Sequence, residues 1–191
     1  MVTQSPLASP AWSTRLLSEI DTVDQKVDAL TAGLTAEQLN WQAAPGTWSV
    51  GQCLEHLYLF SEVYLPAISA ALVDEPASTV QEIKLGWFAH WFTRSFVDPS
   101  PAGKRAGAPK KIVPGSRVDL SVIDRFRRSN RDARELIRRA GKYDINRIRF
   151  VNPFVPIIRF TVGAGLHITC GHERRHLLQA ERVKQSPGFP R

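Results

Sequence analysis

The chain has 191 residues, 43% hydrophobic and 23% charged, with a formal net charge of +7. This composition excludes a disordered chain, a collagen-like repeat and a disulfide-stapled miniprotein, and it supplies enough apolar side chains for a sizeable core. No apolar stretch reaches the ~18 residues of a membrane span before a His, Glu or Arg interrupts it. The opening MVTQSPLASPAW lacks the basic-then-apolar order of a signal peptide. Cys53 and Cys170 make no disulfide framework, so a reducing, cytoplasmic setting is expected.

The spacing predicts a first helix from Pro10 to Leu30. Its apolar residues Leu16, Leu17, Ile20, Val23, Val27 and Leu30 recur at three- and four-residue steps, and Gly33 is its stop. Thr35 caps a short helix, AEQLNW, with Gln38 as its capping-box partner. After the turn AAPGT, Ser49 is the N-cap of a second long helix over 50–72. Its stripe is Val50, Cys53/Leu54, Leu57, Ser61, Tyr64/Leu65, Ile68 and Leu72. Residues 82–96, with Trp87, Phe88, Trp91, Phe92 and Phe96, predict a helix lying across the others. The Pro- and Gly-rich stretch 98–117 is the longest loop.

Ser121 or Asp119 opens a third long helix to Ala140, with Val122, Phe126, Ala133, Leu136 and Ile137 on its apolar side. Asn152–Pro153 and Pro156 make 144–156 a connector, and a fourth long helix runs from Ile157 to Lys184. Four long helices without an alternating strand pattern predict an all-α, antiparallel four-helix bundle with an elaborated loop and short helix between helices 2 and 3. The expected domain is 10–185, with flexible tails at 1–9 and 186–191.

Charge is uneven. Residues 82–149 carry seventeen Lys/Arg against seven Asp/Glu. Such a block attracts anions in general. Here Asp124, Asp132 and Glu135 are interleaved with the arginines, and Asp124/Arg128 and Glu135/Arg139 fall at i,i+4, as on a solvated helix face. Stacking aromatics are lacking in that run apart from Phe126 on the apolar stripe, so nucleic acid is not expected as a partner.

The sharpest motif is GHERRHLLQAERV. His172 and His176 stand four residues apart, so on a helix they share a face, and that face is the inward one. Buried imidazoles need partners, and two rings one turn apart can reach a single ion at ~2.0–2.1 Å. His56, beside the stripe of the second helix, is the candidate third ligand. Three imidazoles leave room for an exogenous ligand, as catalytic rather than structural sites do. The competing reading is of hydrogen-bonded core histidines. His90 reads as structural, and His167 lies about 140° around the helix from His172. Cys53 is the more plausible thiol neighbour of the site; Cys170 reads as core. HERRH also spells H-E-x-x-H, but Gln179 and Arg182 stand where the extended zincin pattern needs Gly and His. Glu173 projects about 100° from His172, leaving it a candidate general base.

With Trp48, Ser49 and His56 ahead of and on the second helix, and His172, His176 and Gln179 on the last, the chain resembles the DinB/YfiT-like superfamily, and its DinB_2-type branch more closely. APKKIVPGS also resembles that branch's loop before its third helix. The resemblance covers nearly the whole chain. It implies a four-helix bundle whose three histidines bind a divalent metal, zinc or nickel in many members. Relatives include transferases and an isomerase using bacillithiol or mycothiol, and members described as metal-dependent hydrolases.

Two enzymatic readings follow. In the first, a metal-dependent transferase activates a low-molecular-weight thiol as cosubstrate, and Arg174, Arg175 or the basic loop 104–117 steers its carboxylates. In the second, a hydrolase uses metal-bound water with Glu173 or Glu55 as base. A third reading is a non-catalytic stress-response binding protein. A small-molecule substrate is expected, membrane association is not, and a homodimer is an open expectation.

Overall fold

The computed structural model describes residues 9–98 and 107–191. Residues 1–8 of the expected tail, and Lys104 and Arg105 of the basic loop, lie outside them. Four long helices, α1 (Ala11–Thr31), α3 (Val50–Ala70), α5 (Val122–Ala140) and α6 (Val162–Lys184), build the body. Two short ones are α2 (Ala36–Asn40) and α4 (Trp87–Phe92). A two-stranded antiparallel hairpin, β1 (Arg149–Val151) and β2 (Arg159–Thr161), precedes α6. Among the described residues no helix is long and apolar enough to cross a membrane.

Local chemistry sets the helix starts. Thr35 accepts from the Gln38 amide at 3.2 Å while the Gln38 side chain accepts from the Thr35 amide at 2.8 Å. Ser49 and Gln52 repeat this reciprocal box at the head of α3, both bonds at 3.1 Å. Each box satisfies two amide groups that a helix start otherwise leaves unpaired. α1 ends where Gly33 takes a positive φ of 69°.

Ion pairs and ring contacts give the helix directions. Asp21 and Asp28 of α1 meet Arg134 and Arg127 of α5, so those two helices run antiparallel. His56 lies near His176 and Ile68 near Gly165, so α3 and α6 are antiparallel too. Glu19 pairs with Arg174 and Lys26 with Glu181, so α1 and α6 run the same way. Glu55–Arg125 and Ser69–Arg139 make α3 and α5 parallel. The antiparallel description therefore holds for two neighbouring pairs, and two pairs are parallel. The long connection from α3 to α5 returns the chain to the starting end of the bundle, as a parallel neighbour requires.

Three stretches differ from expectation. Residues 157–161 are not the first turn of the last helix. Arg159–Thr161 pair with Arg149–Val151, and α6 starts at Val162, capped by Thr161, which accepts from the Ala164 amide at 3.2 Å. The hairpin buries Phe150 and Phe160 on one face. The aromatic segment is a six-residue helix followed by a π-helical turn, Thr93–Val97, and its Phe88 and Phe92 rest on Phe160 at 5.9 and 5.2 Å. The C-terminal residues, expected as a loose tail, fold back: Phe189 meets Trp41 edge-on at 5.4 Å and the Pro190 carbonyl accepts from Gln38.

The core is in two parts. One gathers Leu16, Ile20, Phe60, Tyr64, Ile68, Phe150 and Ile168 with their neighbours; the other gathers Val27, Leu39, Leu54, Val122, Phe126 and Leu177 with theirs. His56 falls between Leu54 and Phe60, and His172 and His176 between Ile168 and Leu177. The histidines thus sit at the boundary of the two apolar clusters.

A candidate metal centre

α3 and α6 present their imidazoles to one another. His56, His172 and His176 each place a ring nitrogen within 4.8 Å of the others, and no other such group of His, Cys, Asp or Glu occurs among the described residues. His56 is buried and the other two are half-buried.

Hydrogen bonds assign the nitrogens. The Ile112 carbonyl, in a 3-10 turn over Lys110–Ile112, stands 2.7 Å from His56 Nδ1. A carbonyl only accepts, so Nδ1 carries the proton and Nε2 keeps its lone pair. Gln179 Oε1 lies 3.0 Å from His176 Nδ1 and assigns that ring the same way. His56 Nε2 and His172 Nε2 are 3.1 Å apart. Two imidazoles on one tetrahedral ion with bonds of ~2.0–2.1 Å stand about 3.3–3.4 Å apart, so the spacing is within a few tenths of an ångström of a coordination edge. His172 Nδ1 is buried without a hydrogen-bond partner. Of the three rings it alone has no hydrogen-bond partner on Nδ1.

Basicity falls at all three. Burial pushes His176 down to about 3, the nearby His56 ring opposing its protonation as well, and burial lowers His172 well below the usual imidazole range. Burial also lowers His56, partly opposed by the Ile112 carbonyl. The rings are therefore neutral at physiological pH, the form in which imidazole binds metals. Three neutral nitrogen donors, two with their second nitrogen tied, fit a divalent cation such as zinc or nickel.

Aromatic rings wall the centre. Trp48 lies 4.7 Å from the His56 ring and 5.5 Å from that of His176. Phe60 lies 4.4 Å from His172 and stacks on Tyr64 and Phe154. Phe154 comes from the hairpin loop, held by Asn152 Oδ1 accepting from its amide at 2.8 Å. Sequence reasoning missed Phe154 and the Ile112 carbonyl. The first lies in a hairpin not foreseen, and the second is backbone, with no side-chain signal.

The other predicted residues are placed as follows. Glu173 is 2% exposed, with neither carboxylate oxygen hydrogen-bonded. Burial raises it to about 8, helped by the Asp24 carboxylate, and its charged neighbours are Asp24, Arg134, Arg174 and Glu19. The carboxyl thus lies among charges carried by α1, α5 and α6. Glu55 accepts from the Gly115 amide at 2.8 Å and pairs with Arg125 at 3.5 Å. Arg174 is paired with Glu19. Arg175 donates to the Asp98 carbonyl at 3.2 Å, and its charge contributes to the lowered basicity of His172 and His176. Cys53 is buried in the apolar cluster with Val27 and Leu54, its thiol pushed up to about 12, and is not grouped with the triad. Cys170 is buried in the other cluster. His90 is exposed, and His167 lies apart from the three.

Fold and site together define a helical protein with a three-imidazole centre between two of its helices. The family model of the DinB superfamily matches residues 19–180, and the chain belongs to that superfamily. No curated protein and no solved structure matches it.

Proposed function

We propose that His56, His172 and His176 hold a divalent cation, zinc or nickel, and that the protein is a metal-dependent transferase acting through a low-molecular-weight thiol. The observation that carries the metal reading is the assignment of the nitrogens: Ile112 and Gln179 occupy Nδ1 of His56 and His176, which leaves Nε2 of both rings to converge with His172. A bound divalent cation makes a coordinated thiol a thiolate near neutral pH.

The chain's own residues favour the thiol reading over hydrolysis. Hydrolysis asks for a general base beside the attacking water. Glu55 is engaged by Gly115 and Arg125, and Glu173 is buried among the charges of Asp24, Arg134, Arg174 and Glu19. A thiol starts from a pKa of about 8.5 against about 15.7 for water, so beside a cation it would release its proton to solvent at neutral pH more readily and depend less on such a base. Arg175, close enough for its charge to act on two of the histidines, draws a carboxylate-bearing thiol towards them. Trp48 and Phe60 beside the imidazoles, with Phe154 stacked on Phe60, give an electrophile an apolar surface to pack against.

The test is incubation of zinc- and nickel-loaded protein with bacillithiol, mycothiol and glutathione in turn and a model electrophile. Metal-dependent conjugate, lost in His172→Ala, is the expected result. Ester or amide turnover without any thiol would instead favour the hydrolase.

A further inference from the structure

Glu55 has a position that its neighbours explain without any part in proton transfer. Gln52, Glu55 and His56 lie on one side of α3, three and one residues apart. Both polar ends of the Gly115 residue are gripped from that side. Its amide donates to Glu55 Oε2 at 2.8 Å, and its carbonyl accepts from Gln52 Nε2 at 2.9 Å. Arg125 steadies the other Glu55 oxygen at 3.5 Å. Three residues upstream, the Ile112 carbonyl meets His56 Nδ1 at 2.7 Å, and the Ile112 side chain is buried in the core. Val113–Pro114 joins the two points, and proline has a fixed φ. Downstream, Val118 is held by two bonds to the Asn40 side chain, at 2.7 and 2.8 Å.

We infer that Glu55 and Gln52 are positioning residues that clamp Gly115 to α3, hold the Ile112 carbonyl on His56 Nδ1, and so set the tautomer that offers Nε2 to the centre. Without the clamp the segment 112–115 loses its two side-chain anchors nearest to His56. The carbonyl then drifts, and the ring samples the tautomer whose proton sits on Nε2. In that form the nitrogen cannot bind a cation without first losing the proton. Only the metal-binding consequence rests on the function proposed above; the tautomer belongs to the metal-free protein.

Three variants separate the parts. Glu55→Ala removes the acceptor of the Gly115 amide. Glu55→Gln keeps an acceptor there while abolishing any carboxylate base. Gln52→Glu keeps the oxygen that caps α3 and removes the donor to the Gly115 carbonyl. Two readouts are taken: ring nitrogen NMR of histidine-labelled, metal-free protein, and zinc affinity by chelator competition. In the wild type and Glu55→Gln, His56 is expected as the Nδ1–H tautomer with zinc affinities within about 2-fold of each other. In Glu55→Ala and Gln52→Glu the Nε2–H tautomer is expected to appear and zinc affinity to fall about 10-fold or more, as loss of such outer partners typically does. Wild-type helix content with an unchanged tautomer in Glu55→Ala and Gln52→Glu would overturn the inference. If Glu55→Ala fails to fold, Gln52→Glu decides. If the wild type binds no zinc, the metal reading falls and the tautomer readout alone decides the clamp.

Discussion

Histidines four residues apart on α6 share a face whatever else the fold does, which is why the His172/His176 pair was readable from spacing alone. His56 was reachable by periodicity, since it borders a stripe that is buried throughout. Glu173 shows where this reasoning stops. Its rotation of about 100° from His172 says that it points elsewhere, but not that it is fully buried within range of the Asp24 and Arg134 charges. A carboxyl raised to about 8 keeps its proton in the folded state, while the unfolded chain releases it above about 4.5. Folding stability therefore falls as pH rises through that window. Glu173→Gln is expected to match the wild type near pH 4 and to exceed it at pH 7 by on the order of 2–3 kcal/mol. Urea unfolding at the two pH values measures this, and equal stability at pH 7 would show the carboxyl to be paired. The cysteines give a second check. Burial raises both thiols, Cys53 to about 12. The native protein should react with a thiol reagent at neutral pH only as fast as it unfolds; prompt labelling of either would contradict this burial.

Helix starts at Thr35 and Ser49 were legible because a capping box is a local pattern, complete within four residues. The hairpin before α6 was not. Its strands are three residues each, with Pro153 and Pro156 between them, too short for alternation to register. What makes them strands is tertiary: Phe150 and Phe160 fill the space beside α3, α4 and α6. Gly165 permits that contact, since a Cβ there would come 2.5 Å from Phe150 Cε1 and 3.0 Å from Ile68 Cδ1. Gly165→Ala is expected to cost about 1–3 kcal/mol by overpacking, despite alanine's higher helix propensity. Thermal unfolding checks it, and a stabilised variant would show that the hairpin yields.

At the scale of the whole molecule, stripes and caps pointed to the four long helices but not to their directions. Direction depends on pairings such as Asp21–Arg134 and Glu19–Arg174 that join distant residues. The same pairings explain part of the basic block: Arg127 and Arg134 are balanced by aspartates of α1 instead of facing an anionic partner. The three histidines come from α3 and α6, so a cation there ties two helices that are about ninety residues apart in the chain. Zinc at 100 times its dissociation constant should stabilise the fold by about 2.7 kcal/mol, seen as a rise in melting temperature that disappears in His172→Ala.

The most direct measurement is elemental analysis of the purified protein beside His56→Ala, His172→Ala, His176→Ala and His90→Ala. About one divalent cation per chain in the wild type and in His90→Ala, with loss in the other three, is the result that a three-imidazole centre predicts. Equal metal content in all five proteins, or none in the wild type after zinc loading and desalting, would contradict it.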